Sequence, residues 1–104
     1  MFGGVTGRNA NGVAELDGVW TVERAGGLLP PMPGVRKEIS GRFGATRVGP
    51  LRMRFEVVGD ELRYCGLLRG LVDRLEPDDD GYDGCAFFRG LELGRFRMQR
   101  PAAS

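Results

Sequence analysis

The chain has no histidine among its 104 residues. That removes the side chain most often used as general base, proton shuttle and metal ligand near neutral pH. Ser–His–Asp and Cys–His catalysis are excluded, as are His-ligated zinc and iron sites. Any catalysis would rest on carboxylates, Tyr, Lys, Cys or Arg. Cysteine is scarce as well, and the twenty-residue separation of Cys65 and Cys85 fits no metal or redox motif. The single tryptophan and scattered aromatics provide no stacking platform of the RNA-binding type. There is no apolar run of membrane-spanning length, and Met1-Phe2-Gly3-Gly4-Val5-Thr6-Gly7 lacks the apolar core of a signal peptide. A cytoplasmic location without a membrane partner is therefore expected, with reduced thiols. Neither charge sign dominates: 15 basic and 14 acidic residues leave a net +1. No global field steers the chain to nucleic acid or anionic lipid, so no nucleic-acid partner is expected.

Glycine is abundant instead, with 18 residues against an average usage of about 7%. It is dispersed without a collagen-like period and falls mostly between apolar segments, as in a chain with many tight turns. Apolar residues make up 41%, enough for one modest core in a chain of this size. Residues 1–14 are Gly/Asn-rich and read as a flexible N-terminal segment, 15–100 as a single folded domain, and 101–104 as a tail.

Within 15–100 the pattern is that of short strands. In Leu16–Arg24, Trp20 and Val22 share one face. Ala25–Gly34 holds Gly26-Gly27 and Pro30-Pro31-Met32-Pro33-Gly34, and reads as a long Pro-rich loop after strand one. Val35, Lys37 and Ile39 alternate with Arg36, Glu38 and Ser40. A further short segment runs through Ala45–Val48 to a break at Gly49-Pro50. Leu51–Val58 is the cleanest signal: Leu51, Met53, Phe55 and Val57 alternate with Arg52, Arg54 and Glu56. A turn at Gly59-Asp60 leads into a strand over Glu61–Leu67. Residues 69–76 alternate as a strand, although a short helix remains open there. Glu76–Gly84 reads as an acidic turn, Cys85–Leu91 as a strand and Arg95–Arg100 as the last. About eight short strands with turns every 8–12 residues predict an all-β fold, a small antiparallel up-and-down barrel. Eight strands leave an interior that side chains fill or that holds one small ligand.

Gly18-Val19-Trp20 on the first strand and a basic residue on the last resemble the calycin superfamily, the lipocalins, fatty-acid-binding proteins and related small barrels. The resemblance implies that Trp20 plugs one end of the barrel and that a late arginine packs across its indole, a cation–π contact worth about 0.5–2 kcal/mol. Arg100, in phase with Phe96 and Met98, is the residue expected there, with Arg97 second. The chain is shorter than a typical lipocalin and lacks its C-terminal helix and usual disulfide, so a small cytosolic barrel is implied rather than an extracellular carrier.

Each candidate site has a plain structural alternative. The apolar loop Leu28-Leu29-Pro30-Pro31-Met32-Pro33 suits a lid over an open barrel end, a plug that completes the core, or a homodimer contact. Asp78-Asp79-Asp80-Gly81-Tyr82-Asp83-Gly84 has the composition of a calcium loop, but an alignment that places Gly84 at the sixth position puts Gly90 where a bidentate Glu is needed. An exposed acidic turn fits better, and no metal or other cofactor is expected. Arg52, Arg54, Arg63, Arg69, Arg95 and Arg97 are interspersed with Glu23, Glu38, Glu56 and Glu92, as on a mixed solvated face. Tyr64, Glu38, Lys37 and Asp73 are the polar residues placed near the interior. Lys37 there either pairs with a ligand carboxylate or snorkels to solvent.

The expected function is a binding module: a lipocalin-like barrel holding an apolar or weakly anionic small molecule. Trp20, Met53, Phe55, Tyr64, Phe87, Phe96, Met98 and Arg100 would line or plug it. One alternative is an isomerase- or cyclase-type enzyme on the same barrel, with Tyr64, Asp73 or Glu38 turned inward. Another is a filled-core interaction protein that works through dimerisation or its outer surface.

Overall fold

Alternation of apolar and polar side chains becomes eight antiparallel strands in the computed structural model, which describes residues 16–101. They are β1 (Gly18–Gly27), β2 (Arg36–Ser40), β3 (Phe43–Val48), β4 (Leu51–Val58), β5 (Glu61–Tyr64), β6 (Leu71–Asp78), β7 (Gly81–Phe88) and β8 (Leu91–Gln99). Each strand pairs with the next, and β8 pairs back onto β1, so the sheet closes as an up-and-down barrel without a free edge. The segment 1–14 and residues 102–104 of the tail lie outside the described residues.

Five connections are two residues long, at 41–42, 49–50, 59–60, 79–80 and 89–90. Two are longer: the Pro-rich segment 28–35 and residues 65–70, which hold a short 3-10 turn at Gly66–Leu68. Because strand direction alternates, 28–35, 49–50, 65–70 and 89–90 gather at one end of the barrel. Residues 41–42, 59–60, 79–80, Leu16–Asp17 and Arg100 gather at the other.

Several boundaries differ from the sequence reading: β1 runs on to Gly27, β7 spans Gly81–Phe88, and β8 begins at Leu91. The strand expected over Glu61–Leu67 stops at Tyr64, where Gly66 turns the backbone into the left-handed region. The strand favoured over 69–76 is present but shifted, running from Leu71 to Asp78, with 69–70 in the preceding connection. The long acidic turn shrinks to Asp79-Asp80, with Asp78 and Asp83 inside the hairpin. Repulsion within it is relieved by Arg97 of β8, whose guanidinium lies 3.0 Å from Asp78, 3.3 Å from Asp80 and 2.9 Å from Asp83.

Inward-pointing residues form one core, with Phe55, Leu62 and Met98 fully buried. One end is sealed. Trp20 is buried, its Nε1 donates to the Leu16 carbonyl at 2.8 Å, and Tyr82 meets its ring edge-on at 5.4 Å. The Arg100 guanidinium stacks 3.8 Å from the indole centroid and donates to the Asp17 carbonyl at 2.7 Å. Gly18 makes that stacking sterically possible. Its φ is +117°, and a Cβ there would overlap the Arg100 guanidinium. The tryptophan–arginine contact implied by the family resemblance is thus present.

Candidate functional site

Two alternating strands place a charged residue at an inward position. On β2 Lys37 follows Val35 and precedes Ile39; on β6 Asp73 stands between Leu71 and Leu75. Both are buried, and Lys37 Nζ lies 2.9 Å from Asp73 Oδ2. The same ammonium donates to Thr46 Oγ1 at 2.7 Å and Tyr64 Oη at 2.8 Å, so all three of its N–H groups are used. Tyr64 Oη donates to Asp73 Oδ2 at 3.1 Å and also meets Thr46 Oγ1. The rings of Phe96, Tyr64 and Phe55 surround Lys37 Nζ, with centroids at 5.2, 5.5 and 5.6 Å, which helps to offset the loss of water around a cation.

Burial alone would lower the Lys37 pKa. The Asp73 carboxylate and the hydrogen bonds to Tyr64 and Asp73 outweigh it and hold the ammonium above the ordinary lysine value. Burial pushes the Tyr64 phenol up, so it stays protonated.

This polar cluster forms the floor of a cavity of about 360 Å³ at the end opposite Trp20. Its walls are apolar, among them Val22, Val48, Met53, Leu71 and Leu93, and its roof is the loop segment Leu29–Met32. Two sequence features create the room. A bulge in the β7–β8 register, where Ala86 faces Gly94 and Phe87 faces Glu92, turns Leu93 into the cavity. Gly84 lies against the Phe96 ring, where any Cβ would collide with it, so Phe96 spans the barrel beneath the chamber.

The residues expected to line or plug the barrel divide into three groups. Met53, Tyr64 and Phe96 line the cavity. Phe55 and Met98 are core beneath it, and Trp20 and Arg100 close the far end. Phe87 is a correction. Ala86 takes the inward position on β7, which leaves Phe87 on the outer face under the Arg74 guanidinium, 5.3 Å from its centroid. Glu38 is also on the outer face, 3.5 Å from Arg47. Lys37 neither snorkels nor waits for a ligand carboxylate, because Asp73 already pairs with it. Thr46 was not singled out by sequence. It lies opposite Lys37 in the β2–β3 register, on a strand whose small residues blur the alternation. The two thiols are apart from this site: Cys65 is exposed and Cys85 half-buried, its thiol pushed up by burial and by Glu92.

Compared with known protein families, curated proteins and solved structures, the chain matches none.

Proposed function

We propose that the protein is a small calycin-like barrel that binds an apolar small molecule in the chamber above Lys37. The observation that carries this reading is the combination of an apolar wall with a cavity of about 360 Å³ in so short a chain. The volume falls within the range of small-molecule sites. At about 30 Å³ per water it equals about a dozen waters, which suits a ligand of roughly ten non-hydrogen atoms. The mouth also suits apolar entry: Leu28, Leu51, Leu67, Phe88 and Leu91 are exposed, and all five belong to the strand ends and loops at that end.

The binding reading is preferred to an enzymatic one because Lys37 and Asp73 are already paired with each other and with Tyr64. Every Lys37 N–H is donated, and Tyr64 keeps its proton. Native mass spectrometry of the protein purified from a rich expression host tests the proposal. The expected spectrum carries a reproducible extra mass of a small organic molecule that leaves on denaturation. A bare mass, together with failure of short-chain apolar probes to bind, would return the protein to the filled-core interaction reading.

A further inference from the structure

Asp73 is 4% exposed, and its two carboxylate oxygens are treated unequally. Oδ2 accepts from both Lys37 and Tyr64; Oδ1 accepts from no described residue. No sealed polar side-chain atom among the described residues lacks a partner, so Oδ1 is not sealed. It opens onto the cavity that Asp73 lines. A carboxylate oxygen with free lone pairs therefore faces an otherwise apolar chamber.

We infer that the chamber selects an uncharged ligand that carries a single hydrogen-bond donor, such as an aliphatic alcohol or a phenol, and that this donor binds Asp73 Oδ1. The inference rests on the reading of the cavity as a binding chamber and adds the polarity of its occupant. Three alternatives are disfavoured by the same atoms. An anion would face the Asp73 carboxylate, while Lys37, the only buried cation among the described residues, has no N–H left to offer. A cationic amine would sit beside the Lys37 ammonium, itself only 2.9 Å from Oδ2. A hydrocarbon would strip water from Oδ1 and leave it without a donor, a penalty that burial in an apolar site makes severe. A neutral hydroxyl supplies the missing donor and adds no charge.

The test compares three probes of matched length by isothermal titration calorimetry: 1-nonanol, methyl octyl ether and nonanoate. The alcohol is expected to bind roughly 10- to 100-fold more tightly than the ether, as for one hydrogen bond to a charged acceptor, and nonanoate is expected to bind no better than the ether. Equal binding of alcohol and ether, or tightest binding of nonanoate, would overturn the donor assignment while leaving the chamber a binding site. Binding of none of the three would overturn the chamber itself. Removing the acceptor provides the second arm. Asp73→Leu alone leaves a buried ammonium unpaired, so the variant used is Lys37→Met/Asp73→Leu, which replaces the pair by apolar groups. In that folded variant the ether is expected to bind still, with the preference for alcohol reduced to about threefold or less. An undiminished preference would assign the hydroxyl to another partner.

Discussion

At one end of the barrel Trp20, Tyr82 and Arg100 close on one another; at the other, Leu29 to Met32 roof a chamber of about 360 Å³. The closed end is filled by one large ring, sealed by a guanidinium and anchored by a hydrogen bond from the indole. Its rim is acidic, with Asp60, Asp79 and Asp80 in the turns and Asp78 at the end of β6. The open end is roofed by a loop that its prolines keep out of the sheet, and its rim carries exposed leucines beside Arg52, Arg69 and Arg89. The contrast teaches that a short chain can concentrate packing at one end and leave usable space at the other. Between them lies the Lys37–Asp73 cluster, which is both the floor of the chamber and the top of the packed core.

The comparison predicts unequal responses to truncation. Trp20→Ala should cost about 3–5 kcal/mol in urea unfolding, while Met32→Ala in the half-buried loop should cost under about 1 kcal/mol. Similar losses at the two positions would erase the distinction between a packed end and an open one.

The floor should behave as a coupled pair. Lys37→Ala, which strands the Asp73 carboxylate, should cost about 3–5 kcal/mol. Lys37→Met/Asp73→Leu should unfold at a denaturant midpoint close to or above that of the natural protein. If the double variant is as unstable as the single one, the pair is not what the cost of Lys37→Ala reports.

Gly84→Ala should cost about 1–3 kcal/mol, because a methyl group there forces the Phe96 ring to move. A smaller effect follows from Arg100→Ala, about 0.5–2 kcal/mol from the lost cation–π contact, against almost none for exposed Arg95→Ala. Near-ultraviolet circular dichroism of the single tryptophan distinguishes loss of the seal from general destabilisation.

The pH dependence has a defined sign. Lys37 and Tyr64 both have folded-state pKa values above their ordinary ones. Each therefore binds its proton more tightly when folded, and its contribution is fully present below the unfolded value. Above about pH 10, the ordinary range of tyrosine and lysine, stability should fall as pH rises. The fall should be shallower in Lys37→Met/Asp73→Leu, and an equal fall in both proteins would locate the alkaline transition elsewhere.

Much of this was legible in the sequence because period-two alternation survives wherever a strand has one buried face. Leu51–Val58 announces β4 directly, and the turns at Gly59-Asp60 and Gly49-Pro50 set its ends. The pairing of Trp20 with a late arginine came from the resemblance to small calycin barrels, and the shared phase with Phe96 and Met98 singled out Arg100. The floor of the chamber was half legible. Lys37 and Asp73 each occupy an inward phase, but nothing local says that two such strands, thirty-six residues apart, face each other. Thr46 was hidden by the small residues around it. Phe87 was misplaced because Phe87 and Phe88 offer two phases, and the inward one on β7 is held by Gly84 and Ala86, too small to read as core. The acidic turn was read too long because its neutralising arginine comes from β8.

The central claim is that ligand space inside the barrel lies at its open end. Methyl-resolved NMR during titration with 1-nonanol tests it most directly. The account predicts shifts at Val22, Val48, Leu71 and Leu93, which line the chamber, with Leu16, Ile39 and Val57 of the packed end unmoved. Shifts centred on Leu16, Ile39 and Val57, or none at any methyl group at saturating probe, would contradict it.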